Sequence, residues 1–335
     1  MPEIVILAIE SSCDDTSAAV CINGKVVSNL TANQKVHEQY GGVVPELASR
    51  EHAKNIIPVV VEALKKANVT NKDITAIAFT RGPGLMGSLL VGGMFAKSMA
   101  QALSIPLIDV HHMQAHVLAH FIDEPKPKFP FLCLTVSGGH TQIVLVKDYL
   151  EMEIIGETLD DAAGEAFDKT AKMLHLPYPG GPLIDKYAKL GNPSAYQFSQ
   201  TNVEGLNFSF SGIKTSILYF LQKELKNNPD FITEHLNDIC ASVQHSIVAM
   251  LMKKIKKAAD ELNIHEIAIA GGVSANSELR KQLTEFGLKY NWNTYIPDFQ
   301  YCTDNAGMIA ITAYYKYLKN QFTTLDIPIA ARLMM

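Results

Sequence analysis

The strongest constraint on the fold is an order of elements that occurs twice. Apolar, β-branched runs at Ile4 to Ile9, Thr16 to Cys21 and Lys25 to Thr31 read as three strands, the last two joined by the hairpin turn Asn23-Gly24. A helix follows from about Pro45 to Ala67, with Ile57, Val60, Val61 and Leu64 at i, i+3, i+4 and i+7. Then come a buried strand from Ile74 to Thr80, a helix through Leu103, a short strand from Ile105 to Val110 and a histidine-rich helix. Past the charged, proline-rich stretch Asp123 to Lys128 the pattern restarts. Phe131 to Val136, Thr141 to Val146 and Glu151 to Glu157 read as strands, followed by a helix from about Asp161 to Leu174 and further helices. Ile264 to Ala270 is a buried strand. A helix begins near Ala275, a strand-like piece ends near Ile296, and a last helix runs from about Asp304 to Leu318. Each half therefore reads β-β-β-α, then β-α-β-α, a duplication of architecture without evident residue identity.

Two such halves predict an α/β protein with the duplicated, two-lobed fold of the actin–hexokinase–Hsp70 (ribonuclease H-like) type and a central nucleotide cleft. The expected first lobe spans 1–122, joined by a C-terminal helix over 310–335. The second spans 129–310. An insertion at about 177–234 holds the Pro-Gly-Gly-Pro punctuation and the aromatic-rich segment Phe198 to Phe210. At 335 residues and 47% hydrophobic, the chain is long enough to bury two full cores. No apolar run reaches membrane-spanning length, and Met1-Pro2-Glu3 leads into a strand without a basic leader, so a cytoplasmic protein is expected. The five cysteines (Cys13, Cys21, Cys133, Cys240, Cys302) are scattered, which argues against a disulfide framework or a thiolate zinc site. A net charge of −5 does not advertise nucleic-acid binding, and Lys253-Lys254-Ile255-Lys256-Lys257 reads as the solvated face of a helix.

The densest chemistry lies in His111 to His120, which carries four of the eleven histidines. On a helix His112, His116 and His120 form one row, and neutral imidazoles at that spacing can share a metal ion. The stretch follows a buried strand, where open α/β sheets place ligands. Asp304, in Tyr301-Cys302-Thr303-Asp304-Asn305-Ala306, reads either as an N-cap or as a carboxylate ligand completing a His-His-Asp site. Glu10-Ser11-Ser12-Cys13-Asp14-Asp15-Thr16-Ser17 occupies the first strand-to-strand turn, suited to an ordinary polar turn or to holding a phosphate-bound metal or an amine. Val136 to Gln142 is the matching turn of the second half, where Gly138 and Gly139 let backbone N–H groups approach an anion. Ala270-Gly271-Gly272-Val273-Ser274-Ala275-Asn276 is strand, glycine turn and helix start, an anion site through the helix dipole. Asp161, Glu165 and Asp168 fall on one face of a helix, and Tyr178 to Pro182 is a rigid turn.

Together these stretches resemble one family, the TsaD family of tRNA threonylcarbamoyladenosine synthesis, in its bacterial form. The matching segments are Glu10-Ser-Ser-Cys-Asp-Asp-Thr16, Gly41-Gly-Val-Val-Pro-Glu-Leu-Ala-Ser-Arg50, Gly82-Pro-Gly-Leu85, His111-His-Met-Gln-Ala-His116, Val136-Ser-Gly-Gly-His-Thr-Gln142, Asp160-Asp-Ala-Ala-Gly-Glu-Ala-Phe-Asp-Lys169, Pro179-Gly-Gly-Pro182, Phe208-Ser-Phe-Ser-Gly-Ile-Lys214, Ala270-Gly-Gly-Val-Ser-Ala-Asn276 and Cys302-Thr-Asp-Asn305. They run in order along almost the whole chain. The resemblance implies transfer of the threonylcarbamoyl group from threonylcarbamoyl-AMP to N6 of the adenosine beside the tRNA anticodon (position 37), forming t6A and releasing AMP. It also implies one divalent metal ion, iron or zinc, on His112, His116 and Asp304, placed across the cleft so as to join the two halves. Thr135, Val136, Ser137, Gly138 and Gly139 are implied to bind the phosphate or acyl part of the donor. Asp168, Gly181, Asn276 and Asp185 are implied to contact the nucleotide, with ATP, ADP or AMP as further occupants. Asp14 and Asp15 are the candidates for the carboxylate that takes the amine proton. The family often has Glu where Asp15 stands. Implied partners are tRNA, TsaB-like and TsaE-like proteins, and a TsaC-like synthase supplying the donor. Two other readings are a nucleotide-binding scaffold or ATPase of the same fold, and a metalloprotease. The protease is disfavoured because Met113 and Gln114 follow His112 where a zincin needs Glu.

Overall fold

The computed structural model describes residues 3–199, 201 and 203–335. Met1 and Pro2, ahead of the first strand, and Gln200 and Asn202, inside the aromatic-rich segment, lie outside the described residues. The chain forms two compact units. One comprises 1–126, 148–152 and 297–335, and the other 127–147 and 153–296.

The first unit opens with β1 (Val5–Glu10), β2 (Asp15–Ile22) and β3 (Lys25–Asn33), an antiparallel meander. Helix α1 (Pro45–Ala67) follows, then β4 (Ala76–Gly82), α2 (Met86–Leu103), β5 (Leu107–His111) and α3 (His112–Leu118). The sheet order is β3-β2-β1-β4-β5, with β4 and β5 parallel to β1. Every residue of β1 is buried, so both sheet faces are covered. Val5, Leu7 and Ile9 pack with Ile56, Val60 and Ala96 of α1 and α2. Because a strand alternates faces, Ile6, Ala8 and Glu10 point the other way. The sequence reading gave α1 one apolar face. The structure buries Val60 and Leu64 but leaves Ile57 60% and Val61 57% exposed. Its buried row instead runs through Ile56, Val60, Ala63 and Leu64.

The second unit contains β6 (Phe131–Val136), most of β7 (Thr141–Asp148) and of β8 (Glu151–Glu157), α4 (Ala163–Met173), α5 (Gly180–Ala188), α6 (Ser211–Asn227), the long α7 (Phe231–Leu262), β9 (Glu266–Ala270), α8 (Ser277–Tyr290) and β10 (Asn293–Tyr295). Its sheet order is β10-β9-β6-β7-β8, with β6 antiparallel to β7 and parallel to β9. That is the first sheet's order repeated: three strands in succession, then two more added on the far side of the first. The topology is thus the duplicated α/β fold that the element order predicts.

Past Ile296 the chain returns to the first unit through α9 (Phe299–Cys302) and α10 (Ala306–Leu318). Helix α10 packs on β1, β2 and α3. Two expectations are corrected here. Residues 297–310 belong to the first unit. No helix spans 310–335: α10 stops at Leu318, Asn320 takes a left-handed φ of 53°, and the rest is irregular, with turns and bends. This tail bonds to the ends of β4 and β5, through Thr323 N to Leu107 O and Ala330 N to Arg81 O. Among the described residues no helix is long and apolar enough to cross a membrane, and all five cysteines are free thiols.

Candidate metal centre and ligand-binding turns

Three of the residues singled out from sequence converge in the first unit. The ligand atoms of His112, His116 and Asp304 lie within 4.8 Å of one another. Nε2 of His112 is 3.4 Å and Nε2 of His116 is 3.2 Å from Asp304 Oδ1. Ligands of a tetrahedral ion bound at about 2.0–2.1 Å stand roughly 3.3 Å apart, which these two distances match. The donor set of two imidazoles and one carboxylate suits zinc or iron. His112 and His116 are buried, whereas 24% of the Asp304 side chain is exposed, which leaves the cluster an open side.

Local structure explains why these side chains are free to converge. The imidazole Nδ1 of His111 accepts from the N–H groups of Met113 and Gln114, so His111 caps α3 and its neighbour His112 is spared. One helical turn places His116 beside His112, their rings edge to face at 4.7 Å. The helix then tightens to a 3₁₀ turn at Ala119–Phe121, which takes His120 out of the row. It is buried there, outside the cluster. Asp304 is not the cap of α10. Its first N–H groups, those of Ala306, Gly307 and Met308, are taken by Ser17 Oγ, Asn29 Oδ1 and Asn305 Oδ1.

Three more residues complete the centre: Glu10 and Ser12, which belong to the polar turn read from sequence but were given no role of their own, and Thr80, read only as a strand end. Glu10 is fully buried, and its Oε2 lies 3.1 Å from His112 Nδ1. It also accepts from Thr80 Oγ1 and from Ser12 N–H. Ser12 Oγ lies 3.2 Å from the same His112 nitrogen and donates to Asp304 Oδ2 at 3.4 Å. The available signal is a carboxylate closing an otherwise apolar strand. Without an ion, His112 sits between two carboxylates. Burial alone would lower its pKa, but Asp304 and then Glu10 outweigh it and hold the imidazole well above its ordinary value. Burial likewise opposes charge on Asp304, yet His112 and the hydrogen bonds from both histidines hold that carboxyl well below its ordinary range. Asp15, at the start of β2, behaves oppositely. Burial, then the charge of Asp304, pushes its carboxyl up to about 7, against one hydrogen bond from Asn33. Asp14 is half-buried in the same turn.

The remaining candidates belong to the second unit, and contacts link them in a ring. Ser137 N–H bonds His140 O and Ser137 Oγ accepts from His140 N–H, closing the turn after β6 and leaving Gly138 and Gly139 exposed. Thr135 and Val136 are buried below it. Gly164 of α4 donates to Ser137 O. One turn on, Asp168 Oδ1 accepts from the N–H groups of Gly180 and Gly181, capping α5; burial is what raises its carboxyl pKa. Asp185 of α5 holds Ser277 N–H and Oγ at the start of α8. Asn276 caps α8 and bonds Gln244. Gly271 (φ 85°) closes the ring: a Cβ there would lie 2.5 Å from Val136 O. The parallel strands β6 and β9 bring both glycine turns to their carboxyl ends, the ligand-binding edge of an open α/β sheet. Asp168, Asp185 and Asn276 are thereby engaged with backbone or side chains of this unit.

The family model described as TsaD: tRNA N6-adenosine threonylcarbamoyltransferase matches residues 25–311. The chain belongs to the TsaD family. The protein of that name from Christiangramia forsetii is 62% identical over 333 residues, covering 98% of both chains. The one from Riemerella anatipestifer is 60% identical over 335 residues, covering 99% of this chain and 98% of its own. Among solved structures, the Acidaminococcus fermentans (R)-2-hydroxyglutaryl-CoA dehydratase component A aligns over 94% of this chain and 99% of its own, with a TM-score of 0.55 at 14% identity. HypF from T. kodakarensis aligns over 96% of this chain and 48% of its own, with a TM-score of 0.63 at 14% identity. These two likenesses concern the fold alone. The TsaD-family chain is a transferase of tRNA modification: it places a threonylcarbamoyl group on N6 of an adenosine.

Proposed function

We propose that this TsaD-family chain takes threonylcarbamoyl-AMP as donor and modifies the adenosine at position 37 of tRNAs reading codons that begin with A. The observation that carries the site reading is the convergence of His112, His116 and Asp304 within 4.8 Å. Nδ1 of His116 is buried without a partner, so its Nε2 is the nitrogen with a task. A divalent ion held there, iron or zinc, would supply Lewis acidity toward the donor's carbonyl or phosphate oxygens. A scaffold that merely binds nucleotide gives this cluster no role.

The chain's own groups account for the rest. The backbone N–H groups of Gly138 and Gly139, exposed after Thr135, Val136 and Ser137, suit the donor's phosphate or acyl oxygens. Gly181, with Asp168, Asp185 and Asn276 holding the helix starts around it, suits the nucleotide, and ATP, ADP or AMP would occupy the same place. The N6 amine attacks the carbamoyl carbon, the bond to the phosphate oxygen breaks, and AMP leaves with that oxygen. The attacking nitrogen must also lose a proton. Asp15, whose carboxyl burial and then the charge of Asp304 push upward in the metal-free chain, is the acceptor we assign, with Asp14 beside it.

We assign the work to the cytoplasm, with TsaB-like and TsaE-like partners and a TsaC-like synthase supplying the donor. Ile57 and Val61 of α1 and Met86, Leu90 and Met94 of α2 are exposed on two helices that pack together. That apolar face suits the TsaB-like partner. Leu90→Glu would then abolish co-elution with it.

The experiment combines this protein with tRNA, threonine, bicarbonate, ATP and the partner proteins, and analyses digested tRNA for threonylcarbamoyladenosine. Product that disappears with His116→Ala supports the reading. No product with every partner present overturns it, and product retained in His116→Ala overturns the metal assignment.

A further inference from the structure

We infer that Glu10 is the positioning residue of the metal centre: it fixes the orientation and tautomer of His112 so that Nε2 presents its lone pair to the ion. The inference rests on the metal reading of His112, His116 and Asp304.

The two histidines are held differently. Nδ1 of His116 has no partner, so nothing behind that ring selects its tautomer. Nδ1 of His112 faces Glu10 Oε2 at 3.1 Å. A carboxylate only accepts, so this contact requires a proton on Nδ1 and leaves Nε2 for the metal. Ser12 Oγ, 3.2 Å from the same nitrogen, is the weaker alternative, an uncharged acceptor whose own proton is turned to Asp304.

The position of Glu10 is itself over-determined. It ends β1 on the face away from α1 and α2, and it is fully buried. Its Oε1 accepts from Ser12 N–H at 2.5 Å, and its Oε2 accepts from Thr80 Oγ1 at 2.5 Å as well as facing His112. Both oxygens therefore work as acceptors at once, which no amide can reproduce. In Glu10→Gln, an amide oxygen turned to Ser12 N–H leaves an NH₂ group facing His112 Nδ1. That group would donate to Nδ1 and move the ring proton to Nε2, the metal's side. The reversed amide would set N–H against the N–H of Ser12. Gln is isosteric, so a residue present only for packing would tolerate the exchange.

The test measures Zn²⁺ affinity by competition with a chromophoric chelator, for the full chain and for Glu10→Gln and His116→Ala. Glu10→Gln is expected to weaken Zn²⁺ binding by about 10–100-fold. Wild-type affinity in Glu10→Gln, with binding lost in His116→Ala, overturns the role of Glu10 and leaves the metal reading standing. Zn²⁺ binding absent from the wild type, or unchanged in His116→Ala, overturns the metal reading instead. A second measurement needs no variant. In Zn²⁺-loaded protein with ¹⁵N-labelled histidine, His112 is expected to carry a slowly exchanging Nδ1 proton and a metal-bound Nε2. A His112 bound through Nδ1, or one whose Nδ1 proton exchanges freely, overturns the inference even if Glu10→Gln does not fold.

Discussion

Asp15→Asn should stabilise the metal-free protein at alkaline pH while it damages catalysis. Burial and the neighbouring charge of Asp304 push the Asp15 carboxyl from 3.8 up to about 7. A shift of about three units corresponds to at most roughly 4 kcal/mol. Asp15 retains contact with solvent, and screening reduces this to about 1–2 kcal/mol. The sign follows from proton binding. Between 3.8 and about 7 the folded chain keeps a proton that the unfolded chain has released. The neutral carboxyl's advantage is thus complete below 3.8, declines as pH rises, and is gone above about 7. Above that, the folded chain carries a charge it disfavours, and asparagine does not. Urea unfolding in the presence of a chelator should show the variant near wild type at about pH 4 and about 1–2 kcal/mol more stable at about pH 8. Bound Zn²⁺ should shrink the gain by neutralising Asp304. Transfer by the variant should fall by roughly 10²–10⁴ with little change in KM, if Asp15 takes the amine proton. An equal effect at both pH values, or a carboxyl ¹³C titration of Asp15 near 4, would refute the reasoning.

Three further outcomes are expected. Alanine at His112, His116 or Asp304 should each remove the bound ion, read by elemental analysis, and abolish threonylcarbamoyladenosine formation in the reconstituted assay. Asn305→Ala strips Met308 N–H of its cap, which should cost about 1 kcal/mol in thermal unfolding. It should also weaken Zn²⁺ binding, since the vacated cap draws on Asp304. Gly271→Ala forces a side chain into φ 85° against the carbonyl of Val136. It should destabilise the second unit by about 1–3 kcal/mol and speed amide exchange at the end of β6.

The fold was legible because each half states its strand order in runs that local physics makes unambiguous: three β-branched segments, a turn such as Asn23-Gly24, then helices of regular period. What escaped were features set by contacts distant in sequence. Ile57 and Val61 obey the helical period as well as Val60 and Leu64 do, and only the packing of α1 on its sheet decides which are buried. The end of the last helix at Leu318 was legible, with Asn320 as its stop, but nothing local shows how the stretch beyond it runs back to the ends of β4 and β5. At the centre, His112 and His116 were readable from i, i+4 spacing, while His120 fails the row because the helix tightens at Ala119. Whether Asp304 or Asn305 caps α10 is a choice between adjacent residues of similar propensity. The tertiary contacts of Ser17 and Asn29 settle it in favour of Asn305. Glu10 was read as part of a polar turn, but its role was hidden for the same reason: its partners His112 and Thr80 lie 102 and 70 residues away.

Where the chain returns matters as much as where its motifs lie. Asp304 follows the second sheet in sequence, and the expectation was that a metal would tie the two halves together. The structure assigns Asp304, both histidines, Glu10 and Ser12 to the first unit. Among the described residues the three candidate ligands and the side chains behind them all belong to that one unit, so the packing of the first unit alone brings them together. The cluster sits on the face of the first sheet opposite α1 and α2, supported from behind by a buried carboxylate. Such a centre is preorganised by packing rather than by substrate. It follows that Zn²⁺ affinity should be the same with and without AMP, apart from any contact AMP itself makes with the ion. A Zn²⁺ affinity that changed when the glycine turns at Gly138 or Gly271 were altered would show that the second unit helps build the centre after all.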